Sequence, residues 1–172
     1  MDKVVDVLIR FNPGVDAKTH KKITTGTYGD KFGVPHQEVK EIFEQSKSMT
    51  GLLIKGIAMH IGSQISDLEA FNLSFKLLRE LFLELRTQGY KLSRLDVGGG
   101  IGIEYKLNGN SLIDLQSYTG LLKEYFGDLD IELELEPGRL LVGNAGLLIS
   151  SVIYTKASGK NNFLIVDAAM ND

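Results

Sequence analysis

Cysteine is absent from the 172 residues, which excludes a disulfide framework and a thiolate metal site. A reducing cytosol fits that composition, and a cytoplasmic location is expected. Charge of one sign is also lacking. Nineteen Lys and Arg stand against 22 Asp and Glu, for a net charge of −3, and they are spread along the chain. Neither nucleic-acid binding nor a polybasic membrane patch is supported. No long hydrophobic run occurs. The longest charge-free stretch, between Arg139 and Lys156, is shorter than the ~20 apolar residues of a spanning helix and contains Asn144, Ser150 and Ser151. The first residues, Met1-Asp2-Lys3-Val4-Val5-Asp6, interleave acids with apolar side chains and do not form a signal peptide. Internal repeats and low-complexity segments are missing too.

What remains is ordinary for a soluble globular protein: 43% hydrophobic and 24% charged residues. The length suits one domain of ~100–200 residues.

Val4 to Phe11 is a β-branched apolar run stopped by Asn12-Pro13-Gly14, which predicts a strand and a turn. Residues 14–33 are polar and glycine-bearing and read as a long functional loop. Val34 to Met49 places Val39, Ile42 and Phe43 at helical spacing, with Pro35 in the first turn. Leu52 to Ile61 is again a strand. Ser66-Asp67-Leu68-Glu69 has capping-box spacing. Leu68, Phe71, Phe75, Leu78, Phe82 and Leu85 then form one apolar stripe, closed by Gly89. Leu92 to Val97 is a short strand running into Gly98-Gly99-Gly100. Leu112 to Phe126 is a helix ended by Gly127, and Ile131 to Leu135 alternates as a strand.

Strand and helix alternate throughout, which predicts a parallel sheet covered by helices, either doubly wound or a barrel. Beyond Leu147 the pattern changes: Leu147–Lys156 and Asn162–Val166 read as two strands about a turn at Ser158-Gly159-Lys160-Asn161. Four βα units are visible, whereas a complete barrel has eight in ~250 residues. The chain therefore reads as part of something larger, in preference to a small open sheet.

In parallel α/β folds, ligands sit outside the carboxyl ends of the strands. The unusual residues cluster there: Asn12-Pro13-Gly14, His60-Ile61-Gly62-Ser63-Gln64, Gly98-Gly99-Gly100 and Glu136-Pro137-Gly138-Arg139. The glycine run can let backbone amides wrap an anion such as a phosphate, or it can be a tight turn. It is not a dinucleotide fingerprint, because position 103 is Ile. His60 can be a satisfied structural residue, a flat ring stacked on a planar cofactor, or a proton carrier. Ser63 offers a hydroxyl to phosphate. Glu136 gains a rim position from the Pro137-Gly138 break, where a carboxylate can accept from a protonated ring nitrogen. Arg139 suits forked recognition of a carboxylate or phosphate. His20, His36 and His60 lack metal-ligand spacing, so no metal site is expected.

Together these segments resemble the diaminopimelate decarboxylases, pyridoxal-phosphate enzymes of the alanine-racemase-like barrel class. The resemblance rests on Asn12-Pro13-Gly14-Val15-Asp16, Lys31-Phe32-Gly33, His60 to Ile65, Asp96 to Ile103, Glu136 to Arg139, Asn144-Ala145-Gly146 and Val166 to Asp172. Gly143 before Asn144 and Ala169, where glycine is usual, are conservative departures.

The resemblance implies the second half of a (β/α)8 TIM-type barrel over residues 1–146 and the beginning of a carboxyl-terminal β-domain over 147–172. It implies pyridoxal 5'-phosphate as cofactor and an amino-acid substrate, with meso-diaminopimelate decarboxylated to lysine by a homodimer. His60 would stack on the pyridine ring, and Glu136 would pair with its nitrogen. Ser63, Gly98, Gly99 and Gly100 would hold the phosphate, with backbone around Pro137 and Gly138. Arg139 would contact the substrate carboxylate or the phosphate. No position matches the early-strand lysine to which the family attaches its cofactor, so the chain alone is expected to turn over little or nothing. Other decarboxylases of the class, acting on ornithine, arginine or carboxynorspermidine, and a non-catalytic cofactor-binding module are the alternatives.

Overall fold

The computed structural model describes residues 3–16, 31–105 and 112–169. Four strands, β1 (Val5–Phe11), β2 (Leu52–Met59), β3 (Arg94–Gly99) and β4 (Glu132–Glu136), form one sheet in the order β1-β2-β3-β4. Every pairing is parallel. Helices α1 (His36–Ser46), α2 (Leu68–Thr87) and α3 (Leu115–Phe126) connect successive strands. The alternation legible in the sequence thus becomes a parallel sheet, with the carboxyl ends of all four strands on one rim.

Register gives the sheet two unlike faces, because paired residues share a face and successive ones alternate. The row Ile9, Ile57, Leu95 and Leu133 joins the helix-side core, with Phe71, Phe75, Leu78, Phe82 and Leu85 of α2 fully buried against it. The adjacent row is Arg10, Ala58, Asp96 and Glu134. Arg94 and Glu132 pair on that same polar face, Arg94 Nε donating to Glu132 Oε2 at 2.8 Å. Helices α2 and α3 are joined by an aromatic cluster of Phe71, Phe75, Tyr118 and Phe126. Arg79 also donates to both carboxylate oxygens of Asp128, at 2.6 and 2.7 Å.

Several local expectations are corrected. Asp67, not Ser66, caps α2, its carboxylate accepting from the Glu69 amide at 3.0 Å. The cap thus stands one residue later than the capping-box spacing places it. Helix α3 starts at Leu115 instead of Leu112, because Asp114 accepts from the Ser117 amide at 2.9 Å and takes the cap. Gly98 and Gly99 belong to β3 itself. A one-turn helix, α4 (Gly138–Val142), follows the Pro137 break and was not anticipated. Most of the loop read at 14–33, including His20, lies outside the described residues.

Strands β5 (Val152–Ser158) and β6 (Asn161–Val166) pair antiparallel as a separate two-stranded sheet. The predicted turn is present, with Gly159 at φ +59°. Leu147 to Ser151 are not strand. Pairing ends at Val152 with Val166, where Asp167 Oδ1 accepts from the Ser151 amide at 2.8 Å and the Ser150 hydroxyl at 3.0 Å.

Candidate functional site

The parallel register brings the carboxyl ends of β2, β3 and β4 side by side, and this places His60, Gly98–Gly100 and Glu136 together. His60 follows β2, and its imidazole is about a quarter exposed (27%). The Gly99 amide donates to His60 Nδ1 at 3.3 Å. Glu136 Oε2 lies 3.7 Å from that same nitrogen, with the Glu136 side chain largely open to solvent. Arg10, from β1, donates through Nη2 to the His60 carbonyl oxygen at 3.2 Å. Its guanidinium also lies over the Phe32 ring.

These contacts set the electrostatics. Burial, and then the positive charge of Arg10, hold the His60 imidazole below its ordinary pKa, while Glu136 and a backbone bond to Gly62 pull the other way. Asp96 is buried in β3, and its Oδ1 accepts from the Gly98 amide at 2.7 Å. Burial raises its carboxyl above the usual range, Glu136 and Glu134 add to the rise, and the Gly98 bond and Arg10 oppose it.

The glycines answer first to packing. A Cβ on Gly99 would stand 1.7 Å from the Glu136 carbonyl oxygen, and one on Gly98 would stand 2.2 Å from that of Met59. Gly98 and Gly100 also have φ of +71° and +91°. A bulky residue at 99 therefore breaks the β3–β4 seam before it tests any anion contact. Between His60 and Glu136, the end of β3 nonetheless carries no side chain.

The remaining expected residues are less converged. Ser63 lies in the turn after β2, half-buried. Pro137, Gly138 and Arg139 open α4 directly after Glu136, and Arg139 Nη1 donates to the Tyr105 hydroxyl at 3.1 Å. His36 pairs instead with Glu84, at 3.1 Å. No group of three or more metal-ligating side chains occurs among the described residues. Among the described residues, no helix is long and apolar enough to cross a membrane.

Sequence reasoning missed Arg10 and Asp96 as parts of this rim, and it placed Gln64 there without a role. The available signal was a charge inside an apolar strand: Arg10 between Ile9 and Phe11, Asp96 between Leu95 and Val97. Gln64, at φ 59°, ties the loop after β2 to the one after β3. Its Oε1 accepts from the Ile103 amide at 2.9 Å, and its Nε2 donates to the Ile103 carbonyl at 3.1 Å.

Comparison with known proteins bears on the family and the fold. Residues 1–143 match the family model described as the pyridoxal binding domain of pyridoxal-dependent decarboxylases. A diaminopimelate decarboxylase of Aquifex aeolicus is 40% identical over the whole chain, and one of Archaeoglobus fulgidus is 42% identical over 98% of it. The chain spans 41% of the length of each. The crystal structure of diaminopimelate decarboxylase from Helicobacter pylori complexed with L-lysine superposes with a TM-score of 0.85 at 39% identity, over 99% of this chain and 42% of that one. The fold is accordingly part of an alanine-racemase-like barrel followed by the start of a sheet. The chain belongs to the pyridoxal-dependent decarboxylase family, its residues 1–143 matching the pyridoxal-binding domain.

Proposed function

We propose that this chain supplies the phosphate and ring contacts of a pyridoxal 5'-phosphate-dependent decarboxylase that converts meso-diaminopimelate to L-lysine. One observation carries the reading: His60 and Glu136, from the ends of β2 and β4, meet 3.7 Å apart beside a glycine run that presents no side chains. A ring-sized cofactor fits that donor set, with a flat, neutral imidazole, a solvent-facing carboxylate and open backbone.

In this reading His60 lies against the cofactor ring and Glu136 accepts from its protonated nitrogen, keeping that proton in place. The bound cofactor supplies an electron sink for the carbon that loses carbon dioxide. Ser63 and the backbone of Gly98, Gly99 and Gly100 hold its phosphate, together with that of Pro137 and Gly138. Arg139 contacts the substrate carboxylate or the phosphate. Residues 1–146 belong to the barrel and 147–172 begin the β-domain, in keeping with the separate β5–β6 sheet. The complete enzyme is a cytoplasmic homodimer. Relatives at about 40% identity are named diaminopimelate decarboxylases, which favours diaminopimelate over other amino acids as substrate.

The test replaces the matching segment of the Aquifex aeolicus relative with this chain and follows carbon dioxide release. Release from meso-diaminopimelate, exceeding that from ornithine or arginine, is expected. Preference for either of those would move the chain to another branch. Loss of cofactor binding in a folded chimera would overturn the reading.

A further inference from the structure

We infer that Asp96 is a positioning residue for His60: by holding the Gly98 amide, it sets the turn that delivers the Gly99 N–H to His60 Nδ1. The chain of contacts is short. Asp96 Oδ1 takes the Gly98 N–H at 2.7 Å. Gly98 sits at φ +71°, and the Met59 carbonyl and the His60 Cα fill the place a Cβ would take. With that residue pinned on both sides, the next amide has one direction to point, and it meets His60 Nδ1 at 3.3 Å. Arg10 fixes the other end of the same residue through the His60 carbonyl.

The consequence concerns protons. An imidazole nitrogen that accepts from an amide carries none, so neutral His60 holds its hydrogen on Nε2. Protonating Nδ1 would set two N–H groups against each other. Glu136, 3.7 Å away, favours that protonation, so the Gly99 amide and Glu136 compete over one nitrogen. The charged groups acting on His60 and Asp96 are Arg10 from β1, Asp96 itself from β3, and Glu134 and Glu136 from β4, with the Tyr118 phenol of α3 near Asp96. That His60 faces a cofactor rests on the proposed function, whereas the contact that Asp96 sets does not. The test is therefore made on the chain without cofactor.

Nitrogen-15 NMR of the labelled chain reads the two imidazole nitrogens of His60 and the Gly99 amide across a pH titration. In the wild type, Nδ1 should show the acceptor shift, and the Gly99 amide proton should move with the His60 titration. Asp96→Asn keeps an acceptor for Gly98 and should preserve both signals. Asp96→Ala should mix the tautomers and move the His60 midpoint upward, because the contact favouring the neutral ring is lost. An Asp96→Ala variant with wild-type signals would overturn the inference, as would an Asp96→Asn variant that behaves like a folded Asp96→Ala. If Asp96→Ala loses its far-UV circular dichroism, the wild-type titration decides. A Gly99 amide indifferent to His60 would then end the idea, and one that follows it while Asp96→Asn keeps the tautomer would sustain it.

Discussion

His60 and Glu136 are separated by 76 residues in sequence but by 3.7 Å between Nδ1 and Oε2. Neither strand end alone makes that pair. Strand β3 stands between β2 and β4, and its last two residues have no side chains, so the ring and the carboxylate approach each other across backbone. The distance is thus a property of the β2–β3–β4 register.

In the completed enzyme, Glu136→Ala should lower turnover on the order of a hundredfold or more, the usual scale for removing a group that stabilises charge in the transition state. Cofactor retention should fall much less, because the proposed phosphate contacts come from Ser63 and backbone groups and not from this carboxylate. Steady-state turnover and cofactor absorbance on one preparation separate the two. Equal turnover would remove Glu136 from the electron-sink role.

Gly99→Ala should cost stability through the seam and the site through geometry. The added Cβ would meet the Glu136 backbone at 1.7 Å, and overpacking of this kind costs about 1–3 kcal/mol, sometimes more. Urea unfolding measures the loss. Hydrogen exchange should place new opening along β4. A fully stable variant with altered cofactor affinity would make the glycine a ligand contact only.

Acidification should destabilise the chain through His60. Its folded-state pKa lies below the ordinary 6.5, so the unfolded chain takes up the proton first. Stability is then lost as pH falls from about 6.5 towards the folded value. His60→Gln should lack that loss, so its thermal melts between pH 5.5 and 7.5 should change less with pH than those of the wild type. A wild-type curve parallel to that of His60→Gln would show that the ring is not held neutral by the fold.

Tyr118 carries the opposite lesson. Its hydroxyl is buried with no hydrogen-bond partner among the described residues, and burial pushes its pKa up to about 12. Tyr118→Phe removes an unsatisfied group whose burial costs about 1–3 kcal/mol. It should leave stability unchanged or raise it by up to about 1 kcal/mol, and Tm checks this. The phenol also makes the fold weaker as pH rises from 10 towards 12, because the unfolded chain loses its proton first. Tyr118→Phe should lack that alkaline loss.

Periodicity made the sheet and its helices legible. The α2 stripe from Phe71 to Leu85 has one face to bury, and parallel strands follow from the helices between them. Glycine and proline at the strand ends marked the rim. Cap choice was not legible between Ser66 and Asp67, because adjacent residues offer equivalent oxygens and only the final backbone angle selects one. The roles of Arg10 and Asp96 were hidden for a different reason. Each is a single charge in an apolar strand: Arg10 meets the His60 carbonyl only through the β1–β2 register, and Asp96 bonds Gly98 two residues on but nears His60 only once β2 and β3 pair. The glycine run was read for what its amides could hold, whereas its first constraint is the carbonyls it packs on.

The Gly99–Glu136 contact also bears on how variants of this protein would be lost in a cell. The same few atoms that align His60 with Glu136 fasten β4 to the sheet. A substitution there would reduce the quantity of folded protein as well as the quality of its site, and protein quality control acts on the first. Defects at this seam would register as low abundance before any kinetic change could be seen.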